Sequence, residues 1–105
     1  MVKVTWTARA RKDLDDISAY IAESSPFYAQ QTEWAILEHS LILEQQPLMG
    51  HPVAEMRDTA IREISHGNYR IIYWVKSQAE LVIIAVVHGK RQITRSVIRQ
   101  RRKSR

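Results

Sequence analysis

The stretch AIREISHGNYRIIYWV at residues 60–75, followed by LVIIAVV at residues 81–87, decides the fold of this chain. Two runs of strand-forming residues flank the sequence HGN at 66–68, which is typical of a hairpin turn. The run 81–87 is apolar on both faces, as expected for a strand in the interior of a sheet. Three consecutive strands that form a meander are therefore predicted.

The N-terminal segment predicts a further strand and a helix. Residues 2–6 alternate between apolar and polar side chains, which is the period of a half-buried strand. From Ala8 onward the apolar residues follow helical spacing, and Thr7 can cap the start of this helix. Its apolar face consists of Ala10, Leu14, Ile17, Tyr20 and Ile21.

A second helix is predicted directly after the first. Pro26 disfavours helical angles at the residue before it, but proline is tolerated at the first position of a new helix. Ser25 is a good N-cap, and apolar residues continue on one face to about Gln46. Because the link is so short, the two helices must fold back on each other as a hairpin.

Together these elements predict an α+β fold. It has an N-terminal strand, an α-helical hairpin, a loop over residues 47–59 and a three-stranded antiparallel meander packed on the helices. We expect the tryptophans Trp6, Trp34 and Trp74 to serve packing. The expected core contacts join Leu14, Ile17, Ile36 and Leu43 of the hairpin to Ile72 and Ile84 of the sheet.

Charge is distributed unevenly along the chain. Residues 1–89 carry all 11 acidic residues and 8 basic ones, whereas residues 90–105 carry the other 8 basic residues and no acid. Such basic tails bind nucleic acid or acidic proteins, or remain solvated. Ile93, Val97 and Ile98 have helical spacing within this tail, but their small apolar area predicts only weak packing on the body.

Length and composition limit the class of protein. A chain of 105 residues suits one domain, and we assign residues 1–91 to it and residues 92–105 to a basic C-terminal tail or short helix. The absence of cysteine excludes disulfides, thiolate catalysis and cysteine-ligated zinc. The first seven residues lack the apolar stretch of a signal peptide or membrane span, and a cytoplasmic location is expected.

Four segments together resemble the RelE/ParE family of toxins. Their order and spacing carry the resemblance, which spans roughly residues 2–91. The segments are Trp6 to Ile21, Pro47 to Gly50, Arg62-Glu63-Ile64 with Gly67 to Tyr73, and Val87-His88-Gly89-Lys90-Arg91.

This resemblance implies the toxin of a type II toxin–antitoxin system. RelE-like members cut messenger RNA in the ribosomal A site, ParE-like members poison DNA gyrase, and both kinds are neutralised by an antitoxin encoded alongside. The implied partners are therefore a cognate antitoxin, in a toxin–antitoxin hetero-oligomer, and either gyrase or the ribosome with its message. The resemblance implies no cofactor and no membrane.

If the chain cleaves RNA, the candidate catalytic residues are Arg70 and Arg91, which the resemblance implies, and His88, which is a candidate because of its side-chain chemistry. Guanidinium groups suit phosphate binding, and a histidine can transfer protons near neutral pH. We expect Arg70 and Arg91 at the same end or face of the sheet, and His88 has the alternative role of ending the last strand. Candidates for target or antitoxin contacts are Arg62, Lys90, Arg95, Arg99, Arg101 and Arg102. No metal ligands are predicted.

The sequence departs from the RelE pattern in two places. Where RNA-cleaving relatives carry a pair of lysines before the hairpin, this chain has Arg62 and Glu63, and no tyrosine follows Arg91. The segments 62–64 and 87–91 are more similar to ParE. We therefore favour a gyrase-directed toxin over a RelE-like ribosome-dependent endonuclease, with a non-toxic binding module that acts through its basic tail as a third hypothesis.

Overall fold

A computed structural model describes residues 1–103 of the chain, and residues 104–105 of the expected basic tail lie outside the described residues. The described part contains three α-helices, one 3-10 helix and a sheet of five strands. In chain order they are β1 (Lys3–Trp6), α1 (Ala8–Ala22), α2 (Pro26–Leu41), the 3-10 helix (Ile42–Glu44), β2 (His51–Pro52), β3 (Ile61–His66), β4 (Tyr69–Val75), β5 (Glu80–His88) and α3 (Arg95–Lys103).

The strands form a mixed sheet in the order β1-β5-β4-β3-β2. β3, β4 and β5 form the predicted antiparallel meander, and β1 lies parallel to β5, so that the first strand is next to the last. The short β2 pairs antiparallel with β3 inside the segment 47–59, for which we expected a loop. The sequence does not predict β2, because Gly50 and Pro52 interrupt any regular pattern there. The α+β fold class itself is confirmed.

Local signals for the helix starts and the hairpin turn are confirmed. The Thr7 hydroxyl oxygen accepts a hydrogen bond from the Ala10 N–H at 3.0 Å, and the Ser25 hydroxyl oxygen accepts one from the Tyr28 N–H at 3.1 Å. Gly67 in the β3–β4 turn has φ of 56°, a left-handed conformation that glycine adopts at no steric cost. These features depend on neighbours in the sequence, and sequence patterns report them well.

The sheet is covered on both faces by helical layers. The α1–α2 hairpin packs on one face, and α3 packs on the other. Buried residues of the hairpin side are Ala10, Leu14, Ile36, Leu43, Ile64, Ile71, Tyr73, Leu81, Ile83 and Val86. Those of the α3 side are Val53, Ile61, Ile72, Ile84, Ala85, Val87, Ile93 and Ile98.

We expected the helical hairpin to pack against Ile72 and Ile84 of the sheet, and this expectation is wrong. Leu14 is fully buried on the hairpin side, but Ile72 and Ile84 lie on the α3 side. Successive strand residues point to opposite faces, so that Ile72 cannot share a face with Tyr73. In β5 a register shift pairs Tyr73 with Ile83 and Ile72 with Ala85, which leaves Ile84 as an extra, unpaired residue of a bulge.

From its composition we also expected the C-terminal segment to pack only weakly on the body. This expectation is wrong for α3 and the residues before it. Ile93 is 6% exposed and Ile98 is 1% exposed, although Val97 remains on the surface. The assignment of Trp34 to packing is likewise wrong, because its side chain is 62% exposed on α2. Within residues 1–103, no helix has the length and apolar character needed to cross a membrane.

Candidate functional site

Arg70 lies in a cleft at the end of the sheet where β3 and β4 join and where β5 leads toward α3. We call this the Arg70 cleft. Its lining residues are Ala54, Glu55, Glu63, Ser65, Arg70, Gly89, Lys90, Arg91 and Gln92. Arg70 belongs to the strand face that α3 covers, and its side chain is only 12% exposed.

Two carboxylates neutralise the Arg70 guanidinium. Its terminal nitrogens donate to both oxygens of Glu55, at 2.9 and 3.1 Å, in a two-pronged ion pair. The Nε–H donates to Glu63, whose other oxygen lies 3.2 Å from Nε2 of His51. Such two-pronged pairs are stronger and more directional than single contacts. Arg70 is thus committed to partners within the chain.

Glu55 connects the Arg70 cleft to the start of α3. One of its carboxylate oxygens also accepts from the Ile93 N–H at 3.3 Å, and its backbone oxygen accepts from Nε of Arg95 at 3.0 Å. The hydrogen bond from Arg70 lowers the pKa of Glu55 against the opposing effect of burial. The same hydrogen bond raises the pKa of Arg70, so that both groups stay charged over a wide pH range.

The structure places Arg91 between the other two candidates, since it lines one cleft with Arg70 and another with His88, while Arg70 and His88 lie on opposite faces of the sheet. The Arg91 backbone oxygen accepts a hydrogen bond from Arg70 at 3.3 Å, and both residues line the same cleft. His88 ends β5 opposite Tyr69, with which it makes an edge-to-face ring contact at 5.8 Å. Its Nδ1 accepts from the Lys90 N–H at 3.3 Å. The three candidate catalytic side chains therefore do not converge on one point.

Arg101 is an internal residue rather than a surface cation. Only 8% of it is exposed, and its guanidinium donates to the two Asp13 oxygens at 2.8 and 3.2 Å and to the Ile84 backbone oxygen at 3.1 Å. Asp13 also accepts from the Val86 N–H at 3.0 Å. This ion pair joins α1, β5 and α3.

Arg62, another candidate for partner contacts, is used to hold the segment before β2. One of its terminal nitrogens donates to the Gly50 backbone oxygen at 2.7 Å. The Gly50 N–H donates in turn to the hydroxyl of Tyr73 at 2.9 Å, and burial raises the pKa of this tyrosine. Tyr73 itself is completely buried.

The remaining basic candidates belong to α3 or to the segment before it. Arg102 pairs with Asp58 at 3.2 Å and lies over the Trp74 ring at 4.8 Å from its centroid. Lys90, Arg95 and Arg99 are exposed. The candidate contact residues thus separate into internal ones, Arg62 and Arg101, and accessible ones.

Sequence reasoning missed the acidic residues that form ion pairs with Arg70 and Arg101. Glu55 lies in an irregular segment that carries no periodic signal. Glu63 offered one usable signal, since it shares its strand face with the buried Ile61, and a carboxylate on such a face needs a partner. Asp13 gave no such signal, because its partner Arg101 is 88 positions away in the sequence. In residues 1–103, no cluster of three or more His, Cys, Asp or Glu side chains could hold a metal ion.

These features define a class: a small α+β protein whose five-stranded sheet carries a helical hairpin on one face and a basic helix on the other. The family model described as ParE toxin of type II toxin-antitoxin system, parDE, matches residues 4–93. The chain therefore belongs to the ParE toxin family, within the broader RelE/ParE group that the sequence resembles. No curated protein sequence matches the chain.

Solved structures share this fold. A chain of the chromosomal ParDE toxin–antitoxin system from Pseudomonas aeruginosa aligns with a TM-score of 0.69 and 22% identity, over 86% of this chain and 98% of that one. A chain of the RelBE2 toxin–antitoxin complex from Mycobacterium tuberculosis aligns with a TM-score of 0.61 and 26% identity, over 84% of this chain and 93% of that one.

Proposed function

We propose that this chain arrests bacterial growth by inhibiting DNA gyrase and that an antitoxin encoded alongside neutralises it. The observation that carries the choice of target is the pairing of Arg70 with Glu55 and Glu63. RNA cleavage needs a cation that can stabilise a phosphorane and groups that move protons at the same place. An arginine already held by two carboxylates is a poor ligand for a phosphate.

The position of His88 supports the same choice. It lies on the hairpin side of the sheet, whereas Arg70 lies on the α3 side. A proton-transferring group and a phosphate-binding group must both reach one scissile bond, and these two side chains face opposite ways. The geometry therefore favours action by binding a protein target over cleavage of RNA.

Exposed aromatic side chains on the helical hairpin provide a surface suited to protein partners. Tyr20, Phe27, Tyr28 and Trp34 are 60–74% exposed. Aromatic residues are enriched at the centres of protein interfaces, and exposed apolar patches of this kind mark interaction sites. The two structural neighbours belong to toxin–antitoxin assemblies, which supports an antitoxin as one partner.

The deciding experiment measures gyrase and translation with the same protein. The purified chain is added to DNA gyrase in a supercoiling assay and, separately, to a translation reaction in which message cleavage is followed by primer extension. We expect loss of supercoiling with intact messages. The core variant Leu14→Asp serves as an unfolded control and should inhibit neither reaction.

Cut messages with unaffected supercoiling would overturn the gyrase proposal and favour the RelE-like reaction. In that case Arg91→Ala is the informative variant, because the Arg91 side chain is exposed and the Arg70 contact uses only its backbone oxygen. Growth that continues unimpeded at high expression of the folded chain would instead favour a non-toxic binding module. Arrest that co-expression of the neighbouring antitoxin gene does not relieve would contradict the proposed neutralisation.

A further inference from the structure

A second cleft, on the outer side of α3, has a strong positive charge. We call it the arginine cleft, and its lining residues are Met56, Arg57, Asp58, Arg95, Arg99 and Arg102. Four arginines and one aspartate give it a net charge of +3. Arg57 comes from the segment before β3, outside the basic tail, so that the fold adds this cation to the three that α3 provides.

Most of this charge is not neutralised within the protein. Asp58 is the acidic residue of the cleft, and Arg102 already engages it at 3.2 Å. Arg95 uses its Nε–H on the Glu55 backbone oxygen, which leaves its terminal nitrogens for other partners. Within residues 1–103, the side chains of Arg57 and Arg99 form no hydrogen bond or ion pair. Their charges face solvent.

Phosphates suit this cleft better than an acidic peptide does. A docked peptide gains most of its affinity from apolar or aromatic anchors in pockets, and Met56 is the apolar side chain that lines this cleft. Guanidinium groups bind phosphate oxygens through paired N–H donors and need no apolar contact. The chemistry of the lining therefore points to a polyanion.

Duplex nucleic acid suits the cleft better than a single strand does. Recognition of single strands relies on aromatic rings that stack on bases. The lining residues of the cleft include no aromatic ring, and the Trp74 ring beside Arg102 is covered by its guanidinium at 4.8 Å. Arg95 and Arg99 are one helical turn apart on an exposed face of α3 and present their charges along a line rather than around a base.

We propose that the arginine cleft binds the phosphate backbone of duplex DNA without reading its sequence. Lys90 and Arg91 are exposed in the segment before α3 and add further positive charge to this part of the chain. This proposal is separate from the proposed inhibition of gyrase, because it is argued only from the distribution of charge around the arginine cleft. Binding through the arginine cleft would hold the toxin on DNA, the molecule on which its proposed target, DNA gyrase, acts.

The test is fluorescence anisotropy of the full chain with a labelled 20-base-pair duplex of arbitrary sequence, titrated over a range of salt concentrations. We expect a Kd of about 1–100 µM near 0.15 M salt, as for other sequence-independent binding. Arg57→Gln/Arg99→Gln should weaken binding about tenfold and reduce the slope of log K against log salt by about 1.8, or about 0.9 per lost phosphate contact.

The matched control removes the same charge elsewhere. Lys3 and Arg9 are exposed and lie outside the cleft, and Lys3→Gln/Arg9→Gln should weaken binding less than about twofold. Equal weakening by both double variants would overturn the proposal, because binding would then depend only on net charge. The same holds if the duplex does not bind and a polyglutamate chain does, since the cleft would then be a surface for acidic proteins. All variants should keep the wild-type melting temperature, since these side chains form no hydrogen bond or ion pair with residues 1–103.

Discussion

Gly50 lies in close contact with atoms of β3 and β4. A Cβ atom at this position would approach the Glu63 backbone oxygen and would lie 2.7 Å from the Tyr73 hydroxyl. The Gly50 N–H donates a hydrogen bond to the Tyr73 hydroxyl, and the Gly50 backbone oxygen accepts one from Arg62. The glycine therefore cannot move away without breaking hydrogen bonds. The glycine thus allows the segment before β2 to lie directly on the sheet.

We therefore expect Gly50→Ala to destabilise the fold by about 2–3 kcal/mol, the cost of steric overlap in a packed region. Urea unfolding followed by circular dichroism measures this difference. Gly67→Ala is the comparison: its Cβ meets no atom within 4 Å, and the φ of 56° alone should cost about 1 kcal/mol. An equal or smaller loss for Gly50→Ala would mean that the segment relaxes freely.

The Arg70–Glu55 ion pair makes stability depend on pH. Because Arg70 lowers the pKa of Glu55 below the ordinary value of 4.5, the folded chain binds a proton at this site less readily than the unfolded chain does. The stabilisation is complete above the ordinary carboxyl pKa and is lost as the pH falls through the lower, folded pKa. The expected window of loss thus lies below about pH 5.

Thermal melts between pH 7 and pH 3 test this dependence. Glu55→Gln should lower the melting temperature at pH 7 and flatten its fall toward acid, because the variant has no proton to take up at this site. Glu23→Gln, at an exposed residue, should reproduce the wild-type curve. Parallel curves for Glu55→Gln and the wild type would contradict the assigned role of this carboxylate.

At the scale of elements, Asp13 attaches α3 to the rest of the molecule. Its carboxylate accepts from Arg101 of α3 and from the Val86 N–H of β5, while its backbone belongs to α1. Removing one member of a buried ion pair leaves the other charge without compensation, and this typically costs about 3–5 kcal/mol.

We expect Asp13→Asn to destabilise the chain by about 3 kcal/mol and to speed amide hydrogen exchange in α3 more than in β4. Exchange followed by mass spectrometry gives both rates. Asp16→Asn is the matched control, because Asp16 pairs with the exposed Lys12 and should contribute less than about 0.5 kcal/mol. If α3 keeps its native protection in Asp13→Asn, the apolar contacts of Ile93 and Ile98 hold the helix without the ion pair.

At the scale of the whole molecule, one sheet provides the core of both helical layers. Leu14 is completely buried on the hairpin side, and truncating such a leucine usually costs about 2–5 kcal/mol. This is a large part of the stability of a small domain. We expect Leu14→Ala to show such a loss in urea unfolding, whereas Leu41→Ala, at a residue 56% exposed, should change it by less than about 0.5 kcal/mol.

The cooperativity of this unfolding tests the shared sheet. Fluorescence of the tryptophans and far-ultraviolet circular dichroism should give the same midpoint in Leu14→Ala, because loss of the hairpin side also removes the support of α3. A chain in which α3 unfolds at a separate midpoint would instead contain two independent cores.

The sequence by itself determined those parts of the fold that depend on neighbouring residues. Strand and helix periods predicted the meander and the hairpin, Thr7 and Ser25 marked the helix starts, and the segment 66–68 predicted the turn. Each of these signals is local, because capping and turn geometry involve residues at most four positions apart. The family resemblance rested on the order of the same local segments.

Only the tertiary structure decided what the charged residues do. Arg70 looked free to bind phosphate until the fold placed Glu55, 15 positions away, against it, and Arg101 looked like a surface cation until Asp13 met it from 88 positions away. The bulge at Ile84 likewise changed which core residues face which helix. Which charged residues pair over such sequence separations depends on how the helices and strands are arranged in space. The spacing of apolar residues along the chain gives no information about that arrangement.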